Sequence, residues 1–174
     1  MSDRAELLRL ARATLSALLC GRALPAVQGP QVYRGAFVTL TTDGALRGCV
    51  GRVVPDRPLA ALVRDMAVAA ARDDPRFPPV AAGELIAIRL EVSVLTAPAP
   101  LVPVLPQRVV IGRDGLIVRR GEASGLLLPQ VAAEHGWGPD LFLAAACRKA
   151  GLGAEAWRDP DTEVFTFQAE VFGE

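Results

Sequence analysis

Arg47 and Cys49 stand two residues apart in Leu46-Arg47-Gly48-Cys49-Val50-Gly51, a guanidinium and a thiol separated by the smallest residue. On an extended strand residues i and i+2 point to one face, so the pair would set a cation beside a nucleophile where two glycines remove bulk. A nearby cation favours the thiolate, the form that attacks electrophiles and binds soft ligands. Three readings of Cys49 follow: a catalytic nucleophile, a small buried structural thiol, or a contact in a ligand site. The first needs a base, and the single histidine, His135, falls at the end of a short helix in Glu134-His135-Gly136. An exposed helix terminus is the simplest explanation of that position.

Arg47 carries its own message. A guanidinium on an otherwise apolar strand is costly to bury unless it meets carboxylate, phosphate or carbonyl oxygens. It either recognises an anion or pairs with an internal acid, for which Glu91 on a later strand is the best candidate. Arg76, framed by prolines in Asp74-Pro75-Arg76-Phe77-Pro78-Pro79, is a weaker candidate of the same kind, because stacking on Phe77 or solvation would also explain it. Glu91 and Ser93 lie on the polar side of an alternating strand. Gln130, which starts a helix in Leu126-Leu127-Leu128-Pro129-Gln130, either caps that helix or offers its amide to a ligand. The six candidates are therefore Arg47, Cys49, Arg76, Glu91, Ser93 and Gln130.

The elements that must position them can be read from periodicity. Leu7, Leu8, Ala11, Leu15, Leu18 and Leu19 recur at helical spacing after the capping candidates Ser2 and Asp3, with Gly21 as a stop. A loop with Pro25, Gly29 and Pro30 leads to a β-hairpin, residues 36–42 and 45–50, turned by Asp43-Gly44. A two-residue type I′ turn would place Arg47 opposite Leu40 and Cys49 opposite Val38. Pro58 opens a second helix, which ends at Asp73-Asp74-Pro75. The three prolines that follow require a stiff loop. Residues 86–95 alternate as a half-buried strand, with Ile88, Leu90, Val92 and Val94 on the core side. Pro98, Pro100, Pro103 and Pro106 mark an extended crossing. A second hairpin is expected from residues 109–111 and 116–119 around Gly112-Arg113-Asp114-Gly115, then a short strand at 125–128, helices from Pro129 and Pro139, and a closing strand at 163–172.

Composition bounds the rest. The 174 residues suit one domain, which can bury roughly 70% of the surface of its unfolded chain. Nineteen basic and nineteen acidic residues cancel, so no general field draws the chain to nucleic acid or an anionic membrane, and only a local basic groove is left for that role. Cys20, Cys49 and Cys147 are widely spaced and form no C-x-x-C pair; no metal site or cofactor is expected. The first segment has charges throughout and no long apolar run, which argues for a folded helix over a signal peptide. A cytoplasmic protein with no membrane span is expected.

Leu46-Arg47-Gly48-Cys49-Val50-Gly51 resembles the L-R-G-C-I-G hallmark of the AMMECR family, named after the Alport syndrome, midface hypoplasia and elliptocytosis chromosomal region, with Val50 for Ile. The resemblance continues through Asp74-Pro75-Arg76-Phe77-Pro78-Pro79, Glu91-Val92-Ser93-Val94-Leu95, Gly112-Arg113-Asp114-Gly115-Leu116, Gly125-Leu126-Leu127-Leu128-Pro129-Gln130-Val131-Ala132 and Cys147-Arg148-Lys149-Ala150-Gly151-Leu152. It implies one α/β domain of the α+β type: a mixed, largely antiparallel sheet packed with helices, in two unequal lobes with the hexapeptide facing the cleft between them. The larger lobe would be built on the 36–50 hairpin and the strands 86–95 and 163–172, the smaller on roughly 108–150. Bacterial and archaeal members resemble protein A of the AmmeMemoRadiSam system, which implies Memo-type and radical S-adenosylmethionine proteins as partners. The resemblance attaches no defined reaction. The leading expectation is an accessory protein whose Arg47/Cys49 cleft binds a small anionic ligand or a partner segment; the alternatives are a Cys49-dependent enzyme and an RNA-binding module. Missing acid-base machinery weighs against the former, and neutral charge with few aromatics against the latter.

Overall fold

The computed structural model describes residues 4–27 and 31–174. Ser2, Asp3, Gly29 and Pro30 lie outside the described residues. The fold is mixed α+β, with antiparallel strands and, among the described residues, four α-helices. The chain divides into two compact units, one reaching to Leu95 and including Glu170–Glu174, the other spanning Thr96–Ala169.

The first unit is two helices packed on one face of a sheet. Strands β1 (Ala36–Thr42), β2 (Ala45–Arg52) and β3 (Ile88–Leu95) run antiparallel in the order β2-β1-β3. Asp43 and Gly44 both have positive φ, 51° and 79°, as a type I′ turn requires. Alternation sends Val38, Leu40, Leu90 and Val92 to one face, where helices α1 (Arg4–Leu19) and α2 (Leu59–Arg72) seal them with Leu7, Leu15, Leu62 and Val63. Each such side chain contributes about 1.5–3 kcal/mol by leaving water. The opposite face is polar and half-buried to exposed: Phe37, Thr39 and Thr41 on β1, Arg89, Glu91 and Ser93 on β3. Gly21, at φ 65°, ends the chain's first helical segment, and Cys20 beside it is exposed.

The second unit is built on β4 (Ala99–Pro100), β5 (Asp114–Arg120), β6 (Ala123–Leu127) and the first residues of β7 (Glu163–Gly173), with β7 paired to β4 and β5, and β5 to β6. Helices α3 (Pro129–Glu134) and α4 (Pro139–Lys149) cover a core of Leu116, Val118, Phe142, Leu143, Cys147 and Trp157. Residues 109–111 form no strand. They belong to a tight turn tied by the Asp114 amide donating to the Val110 carbonyl at 2.9 Å, while the Asp114 carboxylate accepts the Val110 amide at 2.9 Å. The hairpin partner of β5 is β6, across a turn at Gly121.

Candidate functional site

The hexapeptide occupies β2, the outer strand of the first unit's sheet, and contains a β-bulge. Thr41 pairs with Leu46 but Leu40 pairs with Gly48, so Arg47 is the extra residue. From there every pairing is one residue off the regular hairpin: Cys49 lies opposite Thr39 and Val50 opposite Val38. A one-residue slip flips each side chain to the other face. Cys49 therefore sits on the polar face and not beside Val38 and Leu40.

Gly48 explains why the strand takes this path. A Cβ there would lie 2.2 Å from the Ala70 carbonyl oxygen of α2, so only glycine lets the helix rest on the strand at that point, and the bulge turns Gly48 onto the helix face. On the polar face Gly51 does the same for a ring: its Cβ would lie 2.2 Å from Phe37. Cross-strand register then makes two rows, Cys49–Thr39–Glu91 and Gly51–Phe37–Ser93.

The Cys49 thiol accepts the Thr39 hydroxyl at 3.2 Å. At the open edge of β2 the Cys49 amide donates to Asp74 Oδ2 at 2.9 Å, and Arg76 Nη2 donates to the Cys49 carbonyl at 3.3 Å. Two side chains thus occupy the hydrogen-bonding positions of a further strand. The Asp74 side chain is only 3% exposed and also accepts the Arg76 amide at 3.1 Å, Nε at 2.9 Å and Nη2 at 2.7 Å. Those bonds from Arg76, with the Cys49 amide, outweigh desolvation and hold the carboxyl far below the usual carboxylate range. In return Asp74 raises the Arg76 guanidinium. Arg76 remains 54% exposed and leans over Phe77 with 5.6 Å to the ring centroid; its Nη1 has no partner among the described residues.

Arg47 points elsewhere. Its Nε and Nη2 donate to the two oxygens of Glu84, at 2.7 and 3.0 Å, and Nη1 donates to the Pro78 carbonyl at 3.1 Å. The bidentate pair raises Arg47 and lowers Glu84, which the Ala81 amide also holds down. The partner of Arg47 is Glu84 and not Glu91: the bulge carries the guanidinium toward the loop after α2. Glu91 is exposed and has no hydrogen bond or ion pair among the described residues, and Ser93 is half-buried. Gln130, in the second unit, is exposed and caps nothing: the residue before α3 is Leu128, with no side-chain cap. His135 ends α3 in that same unit, its ring edge-on to Trp137 with centroids 4.5 Å apart.

Three residues at the site escape the sequence pattern: Thr39, Asp74 and Glu84. Asp74 alone leaves a trace, a carboxylate two residues before Arg76 and next to a proline, the spacing of a turn whose side chain accepts local amides. Among the described residues no group of three or more His, Cys, Asp and Glu is arranged to hold a metal ion, and no helix is long and apolar enough to cross a membrane.

A thiol backed by a hydroxyl, on a glycine-bearing edge strand clamped by an Asp-Arg loop, sits within a fold that has close relatives. The family model AMMECR1 matches residues 8–172, and the chain belongs to the AMMECR1 family. It is 51% identical over 152 residues to a protein of Methanothermobacter thermautotrophicus, covering 83% of this chain and 79% of that one. To a protein of Thermococcus gammatolerans it is 45% identical over 181 residues, with 97% and 88% covered. The crystal structure of uncharacterized protein PH0010 from Pyrococcus horikoshii is similar at a TM-score of 0.76 and 44% identity, covering 97% of this chain and 89% of that one.

Proposed function

We propose that this AMMECR1-family chain is a cytoplasmic accessory protein, working beside Memo-type and radical S-adenosylmethionine proteins, and that it binds the anionic group of a small ligand or partner segment at Cys49 and Arg76. The observation that carries this reading is the state of the Arg76 guanidinium. It is fixed along one edge by Asp74 and the Cys49 carbonyl, half exposed, and left with Nη1 free to donate. A pre-oriented guanidinium beside a thiol is a recognition device for carboxylate or phosphate oxygens. Arg47, spent on Glu84 and Pro78, holds the loop that carries Arg76.

Binding is favoured over catalysis because the carboxylate on the Cys49 amide and the one on Arg47 are both engaged by guanidiniums. Asp74 and Glu84 are both held ionised by their arginines, so neither is poised to exchange a proton near neutral pH. The second reading, a Cys49-dependent enzyme, draws on the Thr39 hydroxyl at the sulfur. Titration of the ¹⁵N-labelled protein with succinate tests the first. Amide shifts are expected at Cys49, Asp74 and Arg76 and should vanish in Arg76→Ala. Shifts confined to other residues, or none, overturn the reading.

A further inference from the structure

We infer that the ligand of this site is a short zwitterionic peptide of about three residues, its carboxylate on Arg76 and its ammonium on Glu91. The inference rests on the anion-binding reading of Arg76 and extends it across the sheet. Cys49, Thr39 and Glu91 are register partners on three successive strands, so their side chains form one row on the polar face. Arg76 stands at the outer end of that row, bonded to the Cys49 carbonyl; Glu91 stands at the inner end. Two strand spacings separate Cys49 from Glu91, about 10 Å, and three extended residues span about 10 Å.

Charge complementarity selects the occupant. Glu91 is exposed and without a partner among the described residues. Arg89, two residues along the strand, makes no ion pair with it among the described residues. One end of the row thus offers a guanidinium and the other a carboxylate. Between them lie a thiol, a hydroxyl with acceptor capacity left after donating to sulfur, and the Phe37 ring with Ser93 in the neighbouring row. Backbone amides and small side chains suit that floor.

Calorimetric titration of the full chain with trialanine, N-acetyl-trialanine, trialanine amide and dialanine decides it. Trialanine is expected to bind best. N-acetylation should weaken binding about tenfold, Glu91→Gln should weaken trialanine to the same degree, and the two losses should not add, because both delete one contact. Arg89→Ala should leave the affinity unchanged, and dialanine, too short to reach both charges, should bind like the acetylated tripeptide. Equal binding of trialanine and its acetylated form overturns the peptide inference; if amidation still abolishes binding in that case, the anion reading stands alone. Insensitivity to both end groups overturns both, and so does absence of trialanine binding together with absence of succinate binding.

Discussion

At Asp74 four donors converge on one carboxylate that is almost wholly buried. Removing it strands the Cys49 amide and leaves the half-exposed Arg76 guanidinium to solvent, so Asp74→Ala should cost about 1.5–3 kcal/mol, the order of lost hydrogen bonds to a charged group. The pH dependence follows from the sign of the shift. A carboxyl held low in the folded state contributes its full stabilisation above its unfolded value of about 3.9 and loses it as pH falls further. Denaturant midpoints should be flat from pH 7 to about 5 and then drop, with a shallower drop in Asp74→Asn; identical profiles for the two proteins would refute the assignment. Thr39 is testable through the thiol. In a Cys20→Ser, Cys147→Ser background, Thr39→Val should slow iodoacetamide labelling of Cys49 about fivefold, the worth of one net hydrogen bond, and an unchanged rate would mean the hydroxyl does not serve the sulfur.

At the scale of elements the bulge in β2 is the decisive feature. The hairpin is legible in the sequence because Asp43-Gly44 between two β-prone runs states both strands and turn, and helices α2, α3 and α4 follow from proline starts and their apolar stripes. The side of the sheet on which Cys49 emerges is not legible, since it depends on Gly48 meeting Ala70 of a helix that begins eleven residues later. Local alternation has no access to that contact. The partner of Arg47 is hidden for the same reason: Glu84 sits in a short 3-10 turn, Ala82–Glu84, that nothing in Ala81-Ala82-Gly83-Glu84 announces. The six candidates accordingly separate. Arg76 and Cys49 meet at one edge, Glu91 and Ser93 lie across the same face, Arg47 turns to Glu84, and Gln130 belongs to the other unit. Gly48→Ala tests the helix contact directly. The added methyl must push backbone away from backbone, so a loss of about 1–3 kcal/mol or more is expected, read as a lower urea midpoint at unchanged slope. A variant as stable as the parent would show that α2 can yield at Ala70.

On the scale of the whole molecule the charge balance matters most. With nineteen acidic and nineteen basic residues and a sequence pI near 6.6, copies of this protein repel one another little at neutral pH. The Asp74-Arg76 clamp closes one route by which they could join. An outer strand with free amides and carbonyls is a template for any other chain, yet at Cys49 the amide and carbonyl are already answered by a carboxylate and a guanidinium from the same molecule. The loop that we assign to ligand recognition therefore also guards against self-association. Asp74→Ala, Arg76→Ala should form sedimenting species at concentrations where the parent remains in solution, and should do so most readily near pH 6.6, where net charge vanishes. Adding salt would not rescue it, because what the clamp withholds is a row of backbone hydrogen bonds, and fibrils grow on those.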